Sequence, residues 1–281
     1  MSAACHPLSL TRTIEDFPIG NVPLLIHHQA LCLASTDLLS VHRHAWIDPK
    51  DAAVLFSNSE IRTLIDSEGL VLAWLGASPD LSNAVAATAS FEIRYPWDLL
   101  RANEQYVSLL TENIIEGEIH PLAVIEGTIQ IGVGTRILPG VFIEGNVIIG
   151  ANCKIGPNCY IRGNTSIGDG CHIGQSVEIK NCLILSKTNV GHLSYIGDSV
   201  LGEKVNLGAG TTTSNLRHDG TNHRSSVDGA LVDTGRRKFG AIFGDHVHTG
   251  INTSIYPGRK LWPGTTTRPG EIVQYDVESS F

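Results

Sequence analysis

A parallel β-helix, preceded by a small α/β domain and joined to it by a helix, is the fold the sequence predicts, and three observations predict it. From Ile119 to Leu185 an isoleucine or leucine recurs every six residues: Ile119, Ile125, Ile131, Ile137, Ile143, Ile149, Ile155, Ile161, Ile167, Ile173, Ile179 and Leu185. A second column of small or β-branched residues stands four positions later: Ala123, Ile129, Thr135, Val141, Val147, Cys153, Cys159, Thr165, Cys171, Val177 and Leu183. Glycine fills much of the remainder (Gly132, Gly150, Gly156, Gly168, Gly174), where short strands must bend. A period of six is neither the 3.6 of an amphipathic helix nor the 2 of an isolated strand; it is the repeat of a β-helix. Both columns are expected to point inward, with three six-residue sides per coil and rungs about 4.8 Å apart.

The bulk composition narrows the partners. The 281 residues are enough for one large unit or two modest ones. The net charge of −8, from 20 Lys+Arg against 28 Asp+Glu, argues against a general affinity for nucleic acid or an anionic membrane. Six cysteines (Cys5, Cys32, Cys153, Cys159, Cys171, Cys182) lack metal-site spacing, and three of them stand in the inward column. They read as buried free thiols used as small apolar fillers, which suits a reducing cytoplasm. Met1 to Leu10 show no charged leader followed by an apolar stretch, so no secretory signal is expected. Gly69 to Ala77 is too short to span a bilayer. A cytoplasmic protein with no membrane or nucleic-acid partner is the expectation.

In chain order, residues 1–93 read as a small α/β domain without an assigned role. The runs at 24–26, 53–56 and 70–75 are short buried strands or apolar helix turns, and Ser59 to Ser67 can form a helix with Ser59 as N-cap. No phosphate loop of the GxxxxGK[ST] or GxGxxG type occurs there. Residues 94–112 hold the linking helix: proline at its start, then Leu99, Leu100, Asn103, Tyr106, Val107 and Leu110 on one stripe. A repeat stack needs an atypical element at its open end, and this helix is expected to cap it.

Residues 113–281 form the β-helix. Its period slips at Val190 to Ile196, slips again at Leu201, and resumes through Leu207 and Thr213. From 214 to 242 it vanishes, and Phe243, Thr249, Ile255, Leu261 and Thr267 restore it. The stretch 214–242 is therefore an inserted loop, net +2 on an acidic chain, and long loops on repeat scaffolds commonly carry binding.

Three features can do chemistry. Arg162 and Lys180 stand eighteen residues apart, one coil, so they stack on one edge of successive rungs. Two cations about 5 Å apart repel by about 3 kcal/mol at an effective dielectric of 20, so either an anion sits on them or they join a salt-bridge ladder with Glu126 and Glu144. His192 lies where the array slips, and an imidazole there can accept a proton at neutral pH, as acyl transfer to an amine requires. His246 and His248 form an H-x-H pair that either ligates zinc with a third ligand such as His192 or is simply two outward residues.

The blocks Val177-Glu-Ile-Lys180, Gly191-His-Leu-Ser-Tyr195-Ile-Gly-Asp198 and Val205-Asn206-Leu-Gly-Ala209-Gly-Thr-Thr-Thr-Ser-Asn215 resemble the acetyltransferase half of bifunctional glucosamine-1-phosphate acetyltransferase/N-acetylglucosamine-1-phosphate uridylyltransferase. Closer still are the archaeal-type sugar-1-phosphate nucleotidylyltransferase/acetyltransferases, to which 94–104, 234–245 and 250–258 are also similar. The resemblance covers residues 91 to about 270. It implies a left-handed β-helical homotrimer with sites between subunits, acting as an acetyl-CoA-dependent N-acetyltransferase on an amino-sugar 1-phosphate, glucosamine- or galactosamine-1-phosphate. It implies His192 as general base, Arg162 and Lys180 on the sugar phosphate, and Tyr195, Asn206 and Asn215 on the sugar. The backbone at Ala209 and Gly210 would lie near the thioester, and no metal is required. The basic residues of the inserted loop, Arg236, Arg237 and Lys238, either meet coenzyme phosphates or are simply solvated.

The chain departs from that pattern where Leu216 replaces a tyrosine, where Ile251 replaces a serine, and in lacking the family's C-terminal arm and nucleotidyltransferase signature. Two further readings follow from the same residues: a sugar-phosphate-binding or assembly subunit without turnover, and a zinc-dependent lyase of the carbonic-anhydrase type.

Overall fold

The computed structural model describes residues 5–278, so the first four residues of the stretch read for a leader lie outside it. It divides into two compact units.

The smaller unit comprises residues 12–18 and 22–94. It holds helices α1 (Leu24–Ala34) and α2 (Pro49–Ser57) and a four-stranded sheet ordered Leu39–Val41, Val71–Leu75, Thr63–Ile65, Ala84–Ala86. The runs at 24–26 and 53–56 are thus helical and 71–75 is a strand. The helix expected over Ser59 to Ser67 is absent: Thr63–Ile65 is a strand. The stronger start signal lies eleven residues earlier, where Asp48 caps the Lys50 N–H at 2.8 Å and Pro49 opens α2. Leu39, Ala45, Leu55, Leu64, Leu72 and Ala73 make this unit's core.

The larger unit is residues 95–278 with the short stretches 5–11 and 19–21. Its coils are the parallel β-helix expected from the repeat. Three parallel sheets form its faces. The first face carries Glu118, Arg136, Lys154, His172, Asn189 and Asn206 outward, one per rung. The second carries Val124, Phe142, Tyr160, Glu178, Tyr195 and Thr212. The third carries Gln130, Ile148, Ser166, Leu183 and Val200. Between the faces the isoleucine column from Ile131 to Ile179 is buried. In later coils Phe243, Ile255 and Leu261 carry the column on, and buried threonines join it with their hydroxyls paired, Thr211 with Thr249 at 2.7 Å and Thr253 with Thr267 at 2.8 Å.

Eighteen residues separate paired positions as far as Arg162 and Lys180. Beyond them Ser166 pairs with Leu183, and Glu178 with Tyr195, seventeen apart. The first slip is therefore at Asn181, earlier than the sequence suggested. Ile184, not Leu185, follows Ile167 in the core, and Leu183 stands in the outward column beside Ser166. The apolar triplet Leu183-Ile-Leu185 satisfies either register, so the repeat alone did not reveal the shift.

The linking helix, α3 (Pro96–Ser108), packs along the third face, against the strands Thr165–Ile167, Leu183–Ile184 and Val200–Leu201, rather than over an open end of the stack. Asn103, fully buried on its stripe, accepts from the Gly20 N–H at 3.0 Å and the Ser166 hydroxyl at 2.7 Å. No helix among the described residues is long and apolar enough to cross a membrane.

The cysteines are free thiols, five buried and only Cys32 exposed. Burial pushes the Cys159 and Cys182 thiols up to about 12, which suppresses the reactive thiolate. A thiol reagent is accordingly expected to modify one cysteine per native chain and all six after unfolding; rapid modification of more than one would show that the coils open readily.

Candidate functional site

Two corners bracket the second face, and both change character in the same coils. At the corner entering it, Pro121, Pro139 and Pro157 occupy one column, followed by Gln175, His192, Ala209 and Ile251, and then Pro269. The column is tied rung to rung: Leu193 N–H donates to Gln175 O at 3.0 Å, Gly210 N–H to His192 O at 3.1 Å, and Asn252 N–H to Ala209 O at 2.7 Å. His192 thus sits one rung, about 4.8 Å, from Ala209. Its ring is exposed, and its side chain makes no hydrogen bond or ion pair among the described residues.

At the corner leaving the second face the backbone is left-handed. Gly127, Gly145 and Gly163 occupy it at φ +156°, +84° and +73°, and Asn181 and Asp198 follow at +53° and +50°. The deleted residue that shortens each coil is lost at this corner. A left-handed L-residue costs roughly 1–2 kcal/mol, least for Asn and Asp, whereas glycine adopts it freely. Side chains placed here have a use beyond turning the chain.

That use is a hydrogen-bonded cluster. The Asp198 carboxylate, buried to 3 % exposure, accepts from Lys180 Nζ at 2.9 Å, Asn181 Nδ2 at 2.9 Å and Asn215 Nδ2 at 2.6 Å. Asn215 also donates to Tyr195 Oη at 3.0 Å. Gly197 permits this convergence, since an added Cβ would lie 2.6 Å from Tyr195 Oη and 2.7 Å from Asn215 Nδ2. Burial, then the charges of Asp198 and Glu178, push the Tyr195 phenol up and keep it neutral. Arg162, one rung below Lys180, pairs with Glu178 at 2.6 Å, and the bond to Glu178 raises its guanidinium further.

The stacked cations therefore each carry a carboxylate, Glu178 and Asp198. Neither is the Glu126 or Glu144 that the sequence offered; Glu144 instead accepts from the Tyr160 hydroxyl. Lys180, Tyr195 and Asn215 meet at one edge, Arg162 adjoins them, and His192 and Asn206 lie across the entering corner on the first-face side. Beside Asn215 a solvent-open cavity of about 490 Å³, lined in part by Ser214, Leu216 and Tyr256, leaves room for a ligand of sugar size.

The inserted loop leaves the coil after Asn215 and returns at Gly240, and holds a hairpin of Arg224–Val227 with Ala230–Asp233. Its basic residues are not one patch. Arg236 is two-pronged on Glu104 of α3, with Nη1 donating at 3.0 Å, and Glu104 also accepts from Asn181. Arg237 Nε donates to Gly220 O at 3.0 Å, while Lys238 is exposed and bridges Leu216 through the backbone. Phe239 is buried edge-on to Trp97, 5.9 Å between ring centres.

Of the backbone amides at 208–210, beside the expected thioester position, Gly208 donates to Thr249 O at 3.1 Å and its hydroxyl at 3.0 Å, and Gly210 donates to His192 O at 3.1 Å. Only Ala209 N–H has no acceptor among the described residues. His246 stands in a left-handed corner at φ +60° and His248 on the next strand position, so the pair does not share a strand face. Among the described residues no group of three or more His, Cys, Asp or Glu is placed to hold a metal ion.

Sequence reasoning missed Asp198, Asn181, Glu178 and Glu104. The change from Gly to Asn and Asp at one corner, and from Pro to Gln and His at the other, was the signal.

The repeat, the coils and the two substituted corners define a hexapeptide-repeat β-helix protein. Within that class, residues 143–258 match the family described as the GMPPB C-terminal domain. The C-terminal part is homologous to proteins named bifunctional sugar-1-phosphate nucleotidylyltransferase/acetyltransferase or GlmU, as the motif blocks indicated. The bifunctional sugar-1-phosphate nucleotidylyltransferase/acetyltransferase of Sulfurisphaera tokodaii is 40% identical over 186 residues, 66% of this chain and 46% of that protein. The bifunctional protein GlmU of Methanococcus maripaludis is 46% identical over 189 residues, 67% of this chain and 46% of that protein. The chain thus spans less than half the length of these relatives. Among solved structures, a UDP-N-acetylglucosamine acyltransferase from Campylobacter jejuni covers 55% of this chain and 69% of its own, at 14% identity and a TM-score of 0.29.

Proposed function

We propose that the chain is an acetyl-CoA-dependent N-acetyltransferase acting on an amino-sugar 1-phosphate. The observation that carries this reading is the single run of coils in which both corners of the second face exchange turn residues for functional ones, His192 on one side and the Lys180–Asp198–Asn215 cluster on the other.

Acetyl-CoA supplies the activated acyl group. Arg162 and Lys180 hold the sugar phosphate, and Tyr195, Asn206 and Asn215 orient the ring. His192 takes the proton from the amine as nitrogen bonds to the carbonyl carbon, and returns it to the departing sulfur, so the products are the N-acetylated sugar phosphate and free thiol. Ala209 N–H, one rung above, donates to the carbonyl oxygen as negative charge gathers there. Direct transfer leaves the buried cysteines no role.

A homotrimer with sites between copies belongs to the same reading. Arg136 and Lys154 stack on the first face without an ion pair among the described residues, and Glu126 and Glu144 stack on the second face at neighbouring coils. A second copy laid first face to second face would bring these opposite charges together, and His192 would face its acceptor across that seam.

The test is thiol release from acetyl-CoA with glucosamine- and galactosamine-1-phosphate, beside Lys180→Ala, on protein of measured mass in solution. Turnover with one sugar, and at least about a ten-fold loss of kcat/KM in the variant, is expected. Saturable sugar-phosphate binding without thiol release would favour the non-catalytic binding subunit instead.

A further inference from the structure

We infer that Asp198 is a positioning residue of the acceptor site: its buried carboxylate sets Lys180 Nζ and Asn215 Nδ2 in the geometry that receives the sugar phosphate. The inference rests on the acyltransferase reading and adds a residue to it.

The corner needs no carboxylate to turn. Glycine makes a left-handed bend there at 145 and 163, and Asn181 makes it one rung below. Asp198 nevertheless sits there at 3 % exposure, and three donors from three segments converge on it. Lys180 comes from the end of a second-face strand, Asn181 from the corner below, and Asn215 from the point where the loop leaves the coil. Oδ1 takes one bond and Oδ2 takes two, so the buried carboxylate is turned to its own donors.

A lysine is among the side chains with the most rotamer freedom to lose on binding. Here Asp198 and the corner hold it at 15 % side-chain exposure before any ligand arrives. Asn215 is committed in the same way, with Nδ2 shared between Asp198 and Tyr195 Oη. Asp198 therefore acts through the groups that would touch the acceptor. It stands at the opposite corner of the second face from Ala209, beside which the acyl donor would lie.

The experiment uses the full chain with Asp198→Asn, which keeps the shape and suits the left-handed backbone but removes the charge. Kinetics are read for both substrates, and the Kd of the sugar phosphate by calorimetry. The constant for the sugar phosphate is expected to rise about ten-fold or more while the KM for acetyl-CoA stays within about two-fold. Lys180→Ala combined with Asp198→Asn is expected to be no worse than Lys180→Ala by more than about two-fold, because the two side chains act as one unit.

An unchanged sugar-phosphate constant, equal rises for both substrates, or losses that multiply in the double variant would overturn the inference. Were the asparagine variant not to fold, Asp198→Glu, with its charge on a longer arm, carries the same test with the same outcomes. A wild-type chain that neither releases thiol nor binds a sugar phosphate fails the acyltransferase reading and takes the inference with it. A wild type that does both, matched by Asp198→Asn, fails the inference alone.

Discussion

Replacing His192 by alanine is expected to lower the turnover of the proposed acyl transfer by about 10²- to 10⁴-fold, the range a positioned general base supplies. The fold should not notice the change. The imidazole is exposed and makes no hydrogen bond among the described residues, and the bond that fixes this corner uses the His192 carbonyl, which alanine retains. The residue above it in the column is itself an alanine, Ala209. The loss is therefore expected in kcat, with the KM for the sugar phosphate within a few-fold and the melting temperature unchanged. A variant that turns over at the wild-type rate would remove His192 from the mechanism, and one that melts early would make its role structural.

The β-helix was legible because a buried strand in a repeating coil sees the same neighbours every six residues, so Ile131 to Ile179 had to be alike. That argument fails where two registers bury equally well. Leu183-Ile-Leu185 fits either, and the slip at Asn181 came to light only through strand pairing. The helix placed over Ser59 to Ser67 failed for another reason. Its apolar spacing was real, but the aspartate and proline at 48–49 start a better-capped helix, and the following turn delivers Thr63–Ile65 to the sheet.

At the site, the sequence pointed to the residues that would face a ligand, because a cation stack and a corner histidine are unusual on a β-helix. It did not reveal their supports. Asp198, Asn181 and Glu104 act through contacts between corners and a helix far apart in the chain, and Glu104 looks like an ordinary surface residue of an amphipathic helix until Arg236 arrives 132 residues later. The corner columns could have found two of the three, for Asn and Asp at glycine positions are visible in the sequence once coils are aligned.

The largest stability effect is expected in the smaller unit, from Asp51→Ala. Asp51 lies in the first turn of α2 at 3 % exposure. Its carboxylate accepts from Thr88 N–H at 3.0 Å and hydroxyl at 2.7 Å, from Ala89 N–H at 2.9 Å, and from Ser90 N–H and hydroxyl, both at 2.7 Å. The Ser90 hydroxyl in turn accepts from Asp48 N–H at 2.9 Å, so one carboxylate fastens the helix start to the segment 88–90. Alanine would strand several buried donors at once, each costing about 1–3 kcal/mol if water cannot reach it, so a loss of about 3 kcal/mol or more is expected.

The pH dependence has a definite sign. Burial opposes the charge on Asp51, but the bonds from Thr88, Ala89 and Ser90 outweigh it and hold the carboxyl well below the usual carboxylate range. Its stabilisation is thus fully present above the unfolded value of about 3.9 and is lost as pH falls through the lower folded value. Denaturant unfolding at pH 7 and at progressively lower pH should show the gap between wild type and Asp51→Ala narrowing only below about pH 4. Hydrogen exchange at residues 49–57 and 84–92 should rise in the variant at neutral pH. A gap that persists undiminished into acid would mean the carboxylate's charge is not what holds this corner, and that the aspartate serves there by shape.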